Sequence, residues 1–188
     1  MVTQGNMQGG QTLNAAPLFG GTYTHTLDNT GRFILPRSIR SSVGVEFYIT
    51  KGVGCLLVLS EPFANQLRQQ LLTLAGDALT ILLNPEISRI QRHFFSEMVH
   101  TKADNQNRVQ LTPEHRRYAG IMSDGDLVVC GCGSYAEIWA PDRLAIYRKE
   151  NEDPNSLIAA GLTLMNPNAS QDAGEEDAGI SSHTGPSQ

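Results

Sequence analysis

Two aspartate–arginine pairs with the same spacing are the residues of this sequence best suited to chemistry. Asp28 precedes Arg32, and Asp104 precedes Arg108, in each case across three turn-forming residues. An aspartate in this position can hold the guanidinium across the turn through a bidentate pair and fix its direction. An arginine directed in this way can contact the O6 and N7 atoms of guanine. The pairs are therefore candidate contacts to nucleic acid, oriented by the two aspartates.

These pairs have two other interpretations: a structural salt bridge, which remains open, and an acid–base couple, which the rest of the sequence disfavours. Each pair could be only a structural salt bridge, which contributes little to stability when it is exposed. Asp28 and Asp104 could in principle form an acid–base couple, but no Ser–His or Cys–His set and no phosphate-cradling glycine loop accompanies them. We therefore expect no enzymatic activity, no cofactor and no small-molecule substrate.

The two pairs belong to an internal repeat with a constant offset of 76 residues. The first copy, residues 27–44, is LDNTGRFILPRSIRSSVG, and the second, residues 103–120, is ADNQNRVQLTPEHRRYAG. Five positions are identical in register: Asp28 and Asp104, Arg32 and Arg108, Leu35 and Leu111, Arg40 and Arg116, Gly44 and Gly120. The repeat predicts two copies of one small module.

Each copy predicts a strand, a tight turn, a second strand and a short helix. Gly31 and Asn107 are residue types that tolerate a positive φ and can close the turn. Pro36 and Pro113 can start the helix, where a missing N–H is not needed. Further strands are expected at 45–50, 54–59, 127–131 and 135–139, and helices from Pro62 and Pro141. Two antiparallel helices are expected between the copies, the second capped by Asn84. The predicted fold class is α+β, with the four hairpin strands closing a small barrel about an internal pseudo-twofold axis.

The matched segments resemble the MraZ family. They are LDNTGRFILPRSIR, CLLVLSEP, ISRIQRHFFSE, ADNQNRVQLTPEHRRYAG and YAEIWAP, between about Phe19 and Lys149. The resemblance implies two AbrB-like (SpoVT-AbrB) swapped-hairpin modules, at 22–63 and 98–143, joined by a helical linker at 64–97. We expect a disordered extension at 1–18 and an acidic, disordered tail at 150–188, within which residues 157–165 could form one short helix interrupted by Gly161.

The resemblance also implies a function. MraZ proteins are bacterial transcriptional regulators that bind direct repeats of DNA upstream of the cell-division and cell-wall gene cluster and form rings of protomers. The resemblance assigns the two Asp–Arg motifs as the DNA contacts. It also implies that the protein regulates transcription negatively. Three departures, Asn107, Thr112 and His115, weaken the match of the second copy, so the first copy is expected to contribute more.

Four further arginines follow the motifs and could contact phosphates: Arg37, Arg40, Arg116 and Arg117. A solvated helix face is the alternative for these four. Residues 1–149 hold all 14 basic residues and 12 of the 19 acidic ones, a net charge of +2, whereas the segment from residue 150 onward carries seven acidic residues. Double-stranded DNA and further copies of the chain are therefore the expected partners.

The remaining residue types indicate no metal site and no membrane segment. Cys130 and Cys132 lack the spacing of a zinc knuckle, Cys55 is far away in the sequence, and we expect reduced thiols near a core. His93, His100 and His115 have no matching ligand set and are interpreted as surface or core histidines. No apolar stretch is long enough to span a membrane. The odd number of cysteines predicts reduced thiols and a cytoplasmic protein, and the expected DNA binding would place it in the nucleoid. The alternative function is a β-barrel interaction module of the antitoxin type that binds another protein.

Overall fold

A computed structural model describes residues 18–165, which form an α+β fold. The chain comprises two compact units, which meet after Leu144 in the sequence. The strands are β1 Thr22–Thr26, β2 Arg32–Ile34, β3 Glu46–Lys51, β4 Leu56–Ser60, β5 Val99–Lys102, β6 Arg108–Gln110, β7 Asp126–Gly131 and β8 Ala136–Trp139. The helices are α1 Arg37–Val43, α2 Glu61–Ala75, α3 Ala78–Leu83, α4 Pro85–Phe95, α5 Pro113–Ala119, α6 Pro141–Asn151 and α7 Pro154–Met165.

The strands form two antiparallel sheets. Six strands lie in the order β1-β7-β8-β4-β3-β5, and β2 and β6 form a separate two-stranded ribbon. Within the large sheet, Thr22 lies opposite Cys130 and Val99 lies opposite Ile49. The elements follow the same order, strand, strand, helix, strand, strand, helix, in the first part of the chain and again from β5 onward.

The pairing of these strands crosses between the two parts of the chain. β1 pairs with β7, and β5 pairs with β3, while β2 pairs with β6. The expectation that the four hairpin strands close a barrel among themselves is wrong, because β1 and β5 lie at the two edges of the large sheet. The two strands of each predicted hairpin are hydrogen-bonded to each other only at the turn. Beyond the turn, the first strand satisfies its backbone groups in the large sheet and the second strand satisfies them in the ribbon.

The core lies between the ribbon and the large sheet. Phe33 of β2 and Val109 of β6 are 1% and 0% exposed, and they belong to one cluster with Phe47 and Leu127. Leu35 and Leu111, which follow the two ribbon strands, are also buried there. Burying apolar side chains is the dominant favourable contribution to folding, so the core fixes the ribbon against the sheet.

Three helices, not the expected two, connect β4 to β5. The additional helix α3 is capped by Asp77, whose carboxylate accepts a hydrogen bond from the Thr80 backbone N–H at 2.8 Å. Asn84 ends α3 and caps α4, where its Oδ1 accepts from the backbone N–H groups of Glu86 at 2.9 Å and Ile87 at 3.2 Å. The predicted cap at Asn84 is therefore present, and the extra helix fits between Gly76 and this cap.

The tail expected to be disordered from residue 150 contains the helix α7. Asp153 precedes this helix and accepts from the Ser156 backbone N–H at 3.0 Å, and Pro154 is its first residue. The helix continues through Gly161, because a single glycine lowers helix stability without ending the helix. The remaining expectations for the two ends concern residues 1–17 and 166–188, which lie outside the described residues.

Within residues 18–165, every helix falls short of the combined length and hydrophobicity that a membrane crossing requires. In the same range, no group of three or more His, Cys, Asp or Glu side chains is arranged to hold a metal ion.

Candidate nucleic-acid interface

The first Asp–Arg pair closes the turn between β1 and β2. Asp28 Oδ1 accepts hydrogen bonds from the Thr30 N–H at 2.9 Å, the Thr30 hydroxyl at 2.6 Å and the Arg32 N–H at 2.9 Å. Asp28 Oδ2 accepts from Arg32 Nε at 3.1 Å. One carboxylate oxygen thus holds the turn and the other holds the guanidinium. The predicted bidentate pair is not formed, because Oδ1 is occupied by the N–H groups of the turn and only Oδ2 binds the guanidinium.

The charge of this aspartate is secured by the same hydrogen bonds. The Thr30 hydroxyl and then the Arg32 backbone N–H hold the pKa of Asp28 well below its usual range. The carboxylate is therefore ionised at neutral pH, and its attraction for Arg32 persists there. The two Nη groups of Arg32 remain available for a ligand, since the bond to Asp28 uses Nε.

The second pair has the same arrangement. Asp104 Oδ1 accepts from the backbone N–H groups of Gln106 at 2.8 Å and Arg108 at 2.9 Å, and Oδ2 accepts from Arg108 Nε at 2.9 Å. Arg108 Nη2 lies 2.9 Å from the same Oδ2. The backbone N–H of Arg108 is the main cause of a lowered pKa of Asp104.

The sequence departures of the second copy leave this geometry intact. Asn107 adopts a φ of +62°, where the first turn has Gly31 at +82°. Thr112 caps α5 by accepting from the His115 N–H at 3.1 Å. The positive-φ turn residue and the helix start are therefore present in both copies, while Asp104 engages Nη2 of its arginine in addition to Nε.

The β2–β6 ribbon brings the two motifs together. In its register Arg32 lies opposite Gln110, and Ile34 lies opposite Arg108. The ribbon is lengthened at both ends by the turns, since Gly31 O accepts from Leu111 N at 2.9 Å and Asn107 O accepts from Leu35 N at 3.0 Å. Each turn is therefore anchored to the strand of the opposite copy.

The ribbon has one face in the core and one face toward solvent. Strand alternation places the buried Phe33 and Val109 on the inner face and four residues on the outer face. The four residues of this outer ribbon face are Arg32, Ile34, Arg108 and Gln110. Diagonal neighbours on such a face lie about 7–8 Å apart, within reach of long side chains. The fold thus assembles both motif arginines, with side chains 34% and 30% exposed, on one surface.

Two members of the outer ribbon face, Ile34 and Gln110, were not identified from the sequence. The signal that would have found them is the alternation around the buried residues Phe33 and Val109, which predicts that residues on both sides of them point outward. A two-stranded ribbon has dimensions that fit the major groove of B-DNA.

The four helix arginines differ in their surroundings. Arg37 of α1 and Arg117 of α5 are exposed, and Arg40 is half-buried. Arg116 Nη1 donates to Ser123 Oγ at 2.6 Å, and its buried Nε has no hydrogen-bond partner. The guanidinium of Arg116 also lies beside Gly31, where a Cβ would approach its Cζ to 3.3 Å. Arg116 therefore packs against the first turn, while Arg37 and Arg117 are open to solvent.

His93 and His115 are hydrogen-bonded within the fold, and two of the three cysteines are buried. His115 is 1% exposed, and its Nε2 is hydrogen-bonded with Glu97 O at 2.8 Å. His93 Nε2 is hydrogen-bonded with Gly52 O at 2.9 Å. Burial raises the pKa of the Cys55 thiol above its usual range, and Cys132 is exposed.

Comparison with known proteins identifies relatives over most of the chain. No family model matches it. The transcriptional regulator MraZ of Moorella thermoacetica is 33% identical over 143 residues, which cover 76% of this chain and 94% of that protein. MraZ of Desulfitobacterium hafniense (strain DCB-2) is 34% identical over 149 residues, covering 79% and 99%, and MraZ of Limosilactobacillus fermentum is 32% identical over 146 residues, covering 77% and 96%. The chain belongs to the MraZ family of transcriptional regulators.

Proposed function

We propose that this transcriptional regulator binds double-stranded DNA sequence-specifically, with the outer ribbon face in the major groove. The observation that carries the proposal is the presence of two aspartate-held arginines on one solvent-facing surface of a ribbon whose other face is in the core. Side chains held in this way lose little conformational entropy when they bind, and a rigid ribbon presents them at a fixed spacing.

The arginines divide into two classes of contact. Arg32 and Arg108 contact guanine O6 and N7 through the nitrogen atoms that the aspartates leave available. Arg37 and Arg117 contact phosphates and set the register, because both are exposed on the helices that follow the ribbon. Arg40 and Arg116 are assigned to phosphates as well, although Arg116 is already bonded to Ser123.

The proposed architecture is two AbrB-like swapped-hairpin modules, residues 22–63 and 98–143, with the linker 64–97 between them. The crossed pairing of β1 with β7 and of β5 with β3 supports it, since each module then lends its first strand to the other. The regulator acts in the nucleoid and represses the cell-division and cell-wall gene cluster from repeated upstream sites, as the family resemblance implies.

We further propose that the protein acts as a homo-oligomer, arranged as a ring. One ribbon offers few contacts, and a net charge of only +2 over residues 1–149 attracts DNA weakly. Several linked copies on repeated sites raise the affinity through effective concentration. Four exposed leucines of α2 and α3 support self-association, because clustered exposed apolar residues mark interaction surfaces. They are Leu74, Leu79, Leu82 and Leu83, which are 63–80% exposed.

A salt titration with a labelled duplex tests DNA binding against the alternative of a protein-binding module. The duplex is the DNA upstream of the gene that encodes this protein, and a random duplex of equal length is the control. We expect the logarithm of the association constant to fall linearly with the logarithm of the salt concentration, because bound arginines release counterions from phosphates. Absence of duplex binding at every salt concentration would contradict the proposal and favour the antitoxin-type module.

A further inference from the structure

The outer ribbon face has equivalent arginines at its two ends but different residues beside them. Arg32 and Arg108 are equivalent at the offset of 76 residues, and Ile34 and Gln110 are equivalent at the same offset. In the ribbon register, Gln110 lies opposite Arg32, and Ile34 lies opposite Arg108. One end of the face is therefore Arg with Gln, and the other end is Arg with Ile.

Gln110 is held in a position that suits base recognition. Its Nε2 donates to Thr30 O at 3.3 Å, which ties the amide to the turn that also presents Arg32. Only the nitrogen of a side-chain amide can donate to a carbonyl oxygen, so this bond defines which way the amide faces. The bond uses one of two N–H hydrogens and leaves the second hydrogen and Oε1 for a base. An amide with one donor and one acceptor pairs with adenine N7 and N6.

Ile34 offers a different chemistry at the other end. It is 54% exposed, although it is a large apolar residue between two charged side chains. An isoleucine can neither donate nor accept a hydrogen bond, so it cannot pair with adenine. It can contact the 5-methyl group of thymine, which is the apolar feature of the major groove.

We propose that Gln110 and Ile34 are specificity-determining residues that make the DNA site of one protomer directional. Gln110 recognises an adenine next to the guanine contacted by Arg32, and Ile34 contacts a thymine methyl next to the guanine contacted by Arg108. If positions 34 and 110 carried the same residue, the two ends of the ribbon would favour the same bases and the preferred DNA site would be palindromic. Because they carry Ile and Gln, the preferred DNA site is not palindromic. The proposal rests on the proposed DNA-binding function.

Selection from a random duplex library with the full chain tests the proposal. The variants are Gln110→Ala, which removes the amide, and Ile34→Gln, which makes the two ends alike. Gln70→Ala on α2 is the matched control, since it removes an exposed glutamine far from the ribbon in sequence. We expect a non-palindromic site for the wild type and for the control. Circular dichroism and thermal melting confirm that each variant is folded.

The expected changes are confined to single positions. Gln110→Ala should lose the adenine preference at one position and bind the selected site roughly 5-fold to 150-fold more weakly, which is the range for one good bidentate contact. Ile34→Gln should gain an adenine preference at the opposite end and select a more nearly palindromic site.

The outcomes separate this inference from the proposed function. A palindromic wild-type site, or an unchanged base preference in folded Gln110→Ala, overturns the inference and leaves DNA binding by the ribbon standing. A wild-type protein that selects no sequence at any salt concentration overturns both.

Discussion

Removal of the Arg32 guanidinium is the most direct perturbation of the outer ribbon face. In Arg32→Ala the turn keeps its backbone bonds, because Asp28 Oδ1 still accepts from the N–H groups of residues 30 and 32. The lost ion pair is accessible to solvent, with side chains 34% and 35% exposed, and such pairs contribute little to stability. We therefore expect a folded protein whose thermal midpoint is close to that of the wild type.

The magnitude of the binding loss follows from the atoms that become unavailable. Asp28 engages Nε at 3.1 Å, so the two terminal nitrogens of Arg32 are the ones that contact guanine. Loss of a bidentate contact costs about 1–3 kcal/mol per protomer, and more in an assembly with several protomers bound. Binding to random DNA should change little, because Arg32 contacts a base and not a phosphate. The preference for the operator over random DNA therefore falls by the same factor as the operator affinity.

Arg37→Ala is the contrasting variant, since Arg37 is exposed on α1 and assigned to a phosphate. It should weaken operator and random DNA equally and reduce the slope of log affinity against log salt by about 0.9. Arg68→Ala on α2 removes the same charge from an exposed helix position and controls for net charge alone. Fluorescence anisotropy at several salt concentrations measures all three variants. If folded Arg32→Ala keeps the affinity and the preference of the wild type, the turn arginine is structural and the assignment of the interface is wrong.

Three further perturbations have expected outcomes of different kinds. Asp28→Asn should lower the preference for the operator without weakening binding to random DNA, since it releases Arg32 and removes a negative charge. Asp28→Asn should also lower the thermal midpoint at neutral pH. The pKa of Asp28 in the folded protein lies below its ordinary value of 3.8. The stabilisation by the ionised carboxylate is therefore fully present above pH 3.8 and is lost as the pH falls through the folded-state pKa. The difference in thermal midpoint between Asp28→Asn and the wild type should consequently shrink in acid. Phe33→Ala should cost about 3–5 kcal/mol of unfolding free energy in denaturant titrations, because Phe33 is 1% exposed; a loss below 1 kcal/mol would contradict the position of the ribbon over the core. Leu79→Glu combined with Leu82→Glu should leave single protomers in sedimentation velocity, and an unchanged oligomer would remove α3 from the self-association surface.

Local features of the sequence were sufficient to predict the elements that carry the site. The turns are closed by residues that tolerate a positive φ, and the helices α1 and α5 begin next to Pro36 and at Pro113, as their chemistry predicts. Local periodicity could not predict which strands pair, because a strand of half-buried residues such as β1 fits several partners equally well. The helix α3 was missed since six residues with a single cap give a weak pattern. Gln110 was missed because its importance depends on lying opposite Arg32 across the ribbon.

The crossed pairing of the strands has a consequence for the synthesis of the protein on the ribosome. β1 ends at Thr26, but its partner β7 is complete only at Gly131. At about 5–20 residues per second, β1 waits roughly 5 to 20 seconds for its partner to be made. Until β5 is complete at Lys102, the edge of β3 that receives it is also open, and open strand edges can pair with other chains. The first half of the nascent chain therefore depends on the second half, and a product truncated between them is expected to aggregate instead of folding.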